Sequence, residues 1–209
     1  MTTLGLEIEG FILAGGVSTR MGKEKAHLNL AGKTFLMRAA SALRAVAPDV
    51  SLIGGNSDTD LGLPVLPDVY ASEAIEKRAS VIGLHAALVY SKAAWTAVLA
   101  CDLPFVTGEL MKRLVELGNT ERGVSGAVIP VQPDGMIQPF CALYNTHVCL
   151  PLVERMLAEG SRRAQEIVGR LPARYVKFSE VSDLADAEKF FFNVNTPQDL
   201  RMAVELERR

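Results

Sequence analysis

Short apolar runs alternate with longer stretches of helical spacing along most of this chain. The first run, Ile8 to Ala14, reads as a buried strand that stops at Gly15-Gly16. Phe35, Leu36, Ala39, Leu43 and Val46 recur at the three-to-four spacing of an amphipathic helix and predict one over Thr34 to Val46. Val50 to Ile53 and Pro64 to Leu66 predict two more strands, closed by Gly54-Gly55-Asn56 and Pro67-Asp68. Glycine frees the backbone and proline fixes φ and removes a donor, so both punctuate regular structure. Ser80 to Tyr90 reads as a helix and Trp95 to Ala100 as a buried strand, and Thr107 is placed to cap a helix through Leu117. Strands alternating with helices in this way predict an α/β fold: a Rossmann-like three-layer α/β/α arrangement around a mainly parallel sheet.

The pattern changes in the last ninety or so residues. Gly126 to Val131, a turn at Pro133-Asp134-Gly135, and Gln138 to Tyr144 predict a hairpin or paired strands. Thr146 to Ala158 has the period of an amphipathic helix, Ala164 to Gly169 of a shorter one, and Ala173 to Phe178 reads as a strand. Thr196-Pro197-Gln198-Asp199 is a capping box with proline at the first helical position, and it opens the last helix. No repeat, low-complexity tract or Pro/Ser linker interrupts the chain, so residues 1–209 read as a single domain.

Composition adds exclusions. A chain of 209 residues can bury a full core without disulfide staples. The formal charge of −2 leaves no electrostatic footprint for duplex nucleic acid, and no nucleic-acid partner is expected. Three cysteines, with no Cys-x-x-Cys and only His27, His85 and His147 to assist, make zinc an unexpected ligand and a reducing, cytoplasmic setting the expected one. Met1-Thr2-Thr3-Leu4 has neither the basic start nor the apolar segment of a signal peptide. No apolar run approaches the ~20 residues of a membrane span, so no membrane association is expected.

The chemistry gathers where strands end. The stretch from Phe11 to Lys25 empties an apolar strand into a loop with Gly15, Gly16 and Gly22, followed by Arg20, Lys23 and Lys25. Glycines let consecutive N–H groups form an anion nest, and the cations suit a triphosphate. A P-loop is excluded: Gly16 and Gly22 stand one residue too far apart, and Glu24 occupies the Ser/Thr position. Gly15-Gly16-Val17 breaks the dinucleotide fingerprint. An ordinary glycine-rich turn after a strand has the same composition, and both readings stay open on the loop alone. Asp102 follows the apolar run Trp95 to Ala100 and precedes Leu103-Pro104. A carboxylate there is either a turn cap or an oxygen ligand for Mg²⁺, which takes one or two carboxylates and completes its shell with substrate phosphates and water. Asp68, after Pro67, has the same two readings, and Lys25 is either a surface lysine or a phosphate contact. Ligands of open α/β sheets bind outside the carboxyl ends of the strands, where all three segments are predicted to lie. With no Ser-His-Asp or Cys-His arrangement evident, these parts suit transfer at phosphorus by positioning and charge stabilisation.

Leu13-Ala14-Gly15-Gly16-x-Ser18-x-Arg20-Met21-Gly22-x-x-Lys25 resembles the signature of nucleotidyltransferases with a GT-A-like fold, the fold of the nucleotide-diphospho-sugar transferases. Ala100-Cys101-Asp102-Leu103-Pro104-Phe105, Gln138-Pro139-Phe140-Cys141-Ala142-Leu143-Tyr144 and Asn193-Val194-Asn195-Thr196-Pro197-Gln198-Asp199-Leu200 narrow the resemblance to the molybdenum cofactor guanylyltransferase family. The four segments span nearly the whole chain. The resemblance implies transfer of GMP from GTP to molybdenum-molybdopterin, with release of pyrophosphate. It implies that residues 1–122 form a nucleotide-binding half and residues 123–209 an acceptor-binding half. It further implies that Leu13, Ala14, Gly15, Gly16, Lys25, Asp68, Gly83 and Asp102 meet the nucleotide. Lys25, Asp102 and Arg20 would be catalytic, Asp102 would hold Mg²⁺, and Asn193 and Asn195 would lie on the molybdopterin side. Those two asparagines also fit a structural turn into the capped helix. Delivery proteins of molybdoenzymes are the expected protein partners, and a monomer the expected state.

The chain departs from the family pattern at Glu24, where aspartate is usual, and at Ala79-Ser80-Val81-Ile82-Gly83, where Gly-Pro-Leu-x-Gly is usual. Gly54 replaces a polar residue of some relatives, with Asn56 nearby as a substitute. Gly15 argues for guanine, because cytidylyltransferase relatives commonly have alanine there. A CTP- or sugar-phosphate-specific transferase and a non-catalytic homologue are the alternatives. Arg162 and Arg163 read as a solvated helix start.

Overall fold

A computed structural model of the chain describes residues 6–14, 25–54, 61–69, 81–120, 126–161 and 163–208, with the backbone alone at Lys25 and Thr120. In chain order its elements are β1 (Ile8–Leu13), β2 (Asn29–Leu30), β3 (Lys33–Thr34), α1 (Phe35–Leu43), β4 (Asp49–Ile53), β5 (Val65–Leu66), α2 (Val81–Tyr90) and β6 (Trp95–Ala100). Then come α3 (Gly108–Thr120), β7 (Ala127–Pro130), β8 (Cys141–Asn145), α4 (Thr146–Ala158), α5 (Ala164–Val168), β9 (Ala173–Val176) and α6 (Pro197–Glu207).

Seven of the strands form one sheet in the order β5-β4-β1-β6-β8-β7-β9. Every neighbouring pair is parallel except the two made by β8. Six strands therefore deliver their carboxyl ends to one edge, where β8 has its amino end. The period-2 alternation of the strands divides the core. Ile12, Leu52, Leu99 and Leu143 face one cluster with Leu36 and Leu43 of α1 and Leu110 and Leu114 of α3. Phe11, Ile53, Val98, Ala142 and Tyr144 face the other, with residues of α2, α4 and α5. Helices thus cover both faces, giving the three layers that the strand–helix alternation predicted. Because α2 is covered by both the sheet and α4, it is apolar nearly all round, as a buried helix must be.

Local chemistry fixes the helix starts. Thr34 Oγ1 accepts from Met37 N (3.1 Å) and Asn145 Oδ1 from Val148 N (3.2 Å). The Thr196 box closes in both directions: Asp199 N donates to Thr196 Oγ1 (3.2 Å), and Thr196 N donates to Asp199 Oδ2 (2.8 Å). The ends depart from the expected spans. α1 stops at Leu43, because Ala45 N and Val46 N bond back only three residues, to Ala42 O and Leu43 O. β9 stops at Val176, and Phe178 belongs to a 3₁₀ turn, Phe178–Glu180. The hairpin β2–β3 has no counterpart in the periodicity. Its two-residue turn places Ala31 (φ 51°) and Gly32 (φ 83°) in the left-handed region.

Candidate active site at the carboxyl edge of the sheet

β1 is flanked on both sides, and both neighbours grip its end. Leu13 O accepts from Cys101 N (3.1 Å), and Ala14 N donates to Ile53 O (3.1 Å). The chain therefore leaves the sheet from a central, fixed point. Gly15, Gly16, Arg20 and Glu24 lie outside the described residues, as do Asn56, Ala79, Ser80 and Arg162. Lys25 opens a 3₁₀ turn, Lys25–His27, which Ala26 anchors in the core; the Lys25 side chain lies outside the described atoms.

Asp102 follows β6. Cys101 and Leu103 on either side are buried, which leaves Asp102 half-buried at the lip of the sheet. Its turn is closed by Leu103 N bonding to Ala100 O (3.3 Å), and Asp102 O accepts from Val194 N (2.9 Å). That second bond brings Asn193 and Asn195 to Asp102. Val194 is fully buried among Leu28, Leu30, Phe35, Phe105 and Ala203, so the asparagines on either side of it are exposed. They bond each other, Asn195 Nδ2 donating to Asn193 Oδ1 (2.9 Å), and Asn195 N donates to Asp199 Oδ2 (2.9 Å). The turn-and-cap reading of these asparagines describes their bonds, and the segment that caps α6 also stands beside Asp102.

Asp68 lies two residues past β5 at the same edge, half-buried, and burial raises its carboxyl above the ordinary carboxylate value. Gly83 sits in the first turn of α2 against Leu13. A Cβ added there would stand 3.3 Å from Leu13 Cδ1 and 3.4 Å from Cδ2, so a side chain at this position would press on the end of β1.

Two groups at this edge were not singled out as site residues from the sequence. Gln138 is nine-tenths buried, Gln138 N donates to Pro130 O (2.9 Å), and Phe140 O accepts from Ala100 N (2.8 Å). These bonds place the Gln138–Phe140 segment beside the Asp102 turn. The signal was a Gln-Pro pair directly ahead of an apolar strand. The other is His85, a lone histidine on an apolar helix, whose ring meets the Asp68 strand end. Arg163, by contrast, is an exposed residue at the start of α5.

Leu13, Ala14, Asp68, Gly83, Asp102, Asn193 and Asn195 thus share one edge. Among the described residues no group of three or more His, Cys, Asp or Glu side chains could hold a metal ion by itself. Asp102 offers one hard oxygen donor there, of the kind that Mg²⁺ takes from a protein when substrate phosphates and water complete its shell. Two of the three cysteines are poor thiolate donors: Cys141 and Cys149 are buried, and burial pushes both thiols up to about 12.

The family model of the MobA-like NTP transferase domain matches residues 10–175. A probable molybdenum cofactor guanylyltransferase of Pelotomaculum thermopropionicum is 35% identical over 93% of this chain and 91% of its own length. A molybdenum cofactor guanylyltransferase of Desulfosudis oleivorans is 29% identical over 94% of each. Among solved structures, molybdopterin-guanine dinucleotide biosynthesis protein A of Archaeoglobus fulgidus superposes with a TM-score of 0.74 at 25% identity, covering 96% of this chain and 98% of that one.

Proposed function

This chain belongs to the MobA-like NTP transferase family, and on that premise we propose that it transfers GMP from GTP to molybdenum-molybdopterin. The observation that carries the reading is the bond from Val194 N to Asp102 O, which joins the proposed acceptor segment to the proposed phosphate edge. A phosphate oxygen of the acceptor attacks the α-phosphorus of GTP. A new P–O bond forms, the bond from the α-phosphorus to the α–β bridging oxygen breaks, and pyrophosphate leaves with that electron pair. A phosphate monoester loses its second proton near pH 6, so the nucleophile is already ionised at neutral pH and needs no general base. That accords with a site built from backbone, carboxylates and cations.

Position at the sheet edge supports the roles of Leu13, Ala14, Asp68, Gly83, Asp102, Asn193 and Asn195, and those of Gly15, Gly16, Arg20 and Lys25 rest on the sequence resemblance. Leu13, Ala14, Gly15 and Gly16 offer backbone groups to the nucleotide at the end of the central strand. Asp68 and Gly83 stand on the flank toward β5 and α2, where the base and ribose would lie. Asn193 and Asn195 meet the acceptor on the other side of Asp102. Arg20 and Lys25 neutralise charge as pyrophosphate departs. Asp102 would hold Mg²⁺, which supplies charge neutralisation at the phosphates when bound. Residues 1–122 on this reading serve the nucleotide and residues 123–209 the acceptor. The chain would work as a monomer and pass its product to delivery proteins of molybdoenzymes. Three buried cysteines support a reducing, cytoplasmic setting, and among the described residues no helix is long and apolar enough to cross a membrane.

The deciding experiment supplies purified protein with Mg²⁺ and molybdenum-molybdopterin and compares GTP, CTP and ATP for pyrophosphate release. GTP is expected to support turnover at least about tenfold better in kcat/KM, the discrimination one or two base contacts provide. Turnover with CTP alone would replace the guanine assignment, and nucleotide binding without release would indicate a non-catalytic homologue.

A further inference from the structure

His85 is 97% buried, yet among the described residues only one of its ring nitrogens has a hydrogen-bond partner. Nδ1 lies 3.1 Å from Val69 O, while Nε2 is buried without a described partner, 3.6 Å from Glu154 Oε1 of α4. A carbonyl oxygen can only accept, so Nδ1 carries the proton and donates. As mere core filling this is a poor choice, because a leucine would fill similar space without leaving a nitrogen unbonded. The bond to Val69 is what the imidazole adds.

The backbone it grips is weakly tied otherwise. Among the described residues β5 is two residues long and outermost in the sheet, and it pairs with β4 alone. The ladder reaches Leu66, whose carbonyl accepts from Gly54 N (3.0 Å). Among the described residues, the next hydrogen bond to this backbone is the one His85 gives to Val69, directly after Asp68. Val69 also packs against the α2–α4 cluster, so one residue receives both an apolar seat and a directional bond.

Resting on the reading that Asp68 meets the nucleotide, we infer that His85 is the positioning residue that sets nucleotide affinity, by pinning the strand end that carries Asp68 to α2. His85 touches no substrate. It fixes how far Asp68 stands from Gly83, two residues earlier on α2, and from Leu13, which Gly83 packs against.

The test is a double-mutant cycle on the full chain, read as the equilibrium Kd for GTP with Mg²⁺ and as separate kcat and KM values. His85→Leu is expected to weaken GTP about three- to tenfold, the loss of one hydrogen bond, with kcat and the acceptor KM within about twofold of wild type. His85→Asn presents an amide N–H where Nδ1 was and should restore affinity to within about twofold, whereas His85→Gln presents its amide where Nε2 was and should not. In an Asp68→Asn background, His85→Leu should add less than about twofold, because its effect runs through Asp68. Unchanged GTP affinity in His85→Leu overturns the inference, as does full additivity with Asp68→Asn. Equal losses in the Asn and Gln variants with matching falls in Tm also overturn it, by assigning the residue to packing. If His85→Leu does not fold, the Asn/Gln pair carries the decision. If wild-type protein binds CTP rather than GTP, the guanine reading fails by itself, and the same cycle run with CTP still decides the role of His85.

Discussion

The two carboxylates of the candidate site are secured in different ways. Asp102 sits in a turn held by main-chain bonds from three directions: Cys101 N to Leu13 O, Leu103 N to Ala100 O, and Val194 N to Asp102 O. Asp68 lies past the last ladder bond of an edge strand, and its neighbour Val69 is gripped by a side chain. Every non-proline residue carries the same backbone donor and acceptor, so a corner laced by main chain keeps its shape whatever side chain it presents. A corner held by one imidazole is only as well placed as that imidazole. Charge that develops at phosphorus must be met by groups already in position, which suits the Asp102 corner. Hold on the nucleotide is read in affinity rather than in rate, and that is where a change at the Asp68 corner should show.

If that division is right, the largest effect belongs to Asp102. Asp102→Ala should lower kcat by about 100-fold or more, the scale for removing one preorganised charge contact. Its stability should fall far less than its turnover, because main-chain bonds close the turn around a half-exposed side chain. Steady-state kinetics beside a denaturant melt checks both halves of the expectation. A variant that turns over normally removes Asp102 from the chemistry, and one that unfolds removes the main-chain account of the corner.

Asp68→Asn should act through affinity instead. Loss of one charge-assisted contact predicts a rise in KM for GTP of about tenfold, with kcat changed much less. Its stability should move in the opposite direction. Burial raises the Asp68 carboxyl in the folded protein. The folded state therefore binds this proton more tightly than the unfolded state, and stability falls as pH rises through the unfolded value and on past the folded one. Asparagine does not ionise, so the variant should match wild type in acid and melt slightly higher at neutral pH. A neutral-pH melt below wild type would mean that the carboxylate is held by something other than its nucleotide.

How much of this was legible in the sequence depends on how local the cause is. β6 and α4 have the spans that their apolar patterns predicted, Trp95–Ala100 and Thr146–Ala158, and the Thr196 box caps α6 as read. Each is set by residues adjacent in the chain. The carboxyl-edge placement of Leu13, Asp68 and Asp102 was also legible, since parallel strands share their ends. Pairing between distant segments was not. Nothing in Cys141-Ala142-Leu143-Tyr144 says that β8 inserts between β6 and β7, because either face of the strand is apolar enough to lie in mid-sheet. The β2–β3 hairpin escaped because its strands are too short for alternation and its turn puts an alanine at positive φ. His85 figured in the sequence only as one of three histidines weighed for a metal site, since the sequence does not say which carbonyl its ring will face.

The opposite edge of the sheet supplies the smallest effect and the control. β9 is outermost there, and a side-chain pair fastens its end as His85 fastens the end of β5. Arg174 of β9 donates to both carboxylate oxygens of Glu180 (2.8 and 2.5 Å), and Lys177 N donates to Glu180 Oε2 (2.9 Å). The Arg174 bonds, the Lys177 bond and their charges hold the Glu180 carboxyl below its ordinary value of 4.5. A depressed folded value means that the contribution is fully present above the unfolded value and fades as pH falls through the folded one. Glu180→Gln should therefore cost about 1 kcal/mol at neutral pH, the modest size expected of a pair that still touches solvent, and the gap to wild type should close below pH 4.5. GTP affinity and kcat should not move, because no described site residue bonds to this turn. Paired denaturant melts at acid and neutral pH, with GTP titrations of the same samples, compare the two edges directly. A fall in GTP affinity in Glu180→Gln would mean that loosening either edge disturbs the site, and the special place of the His85 contact would be lost.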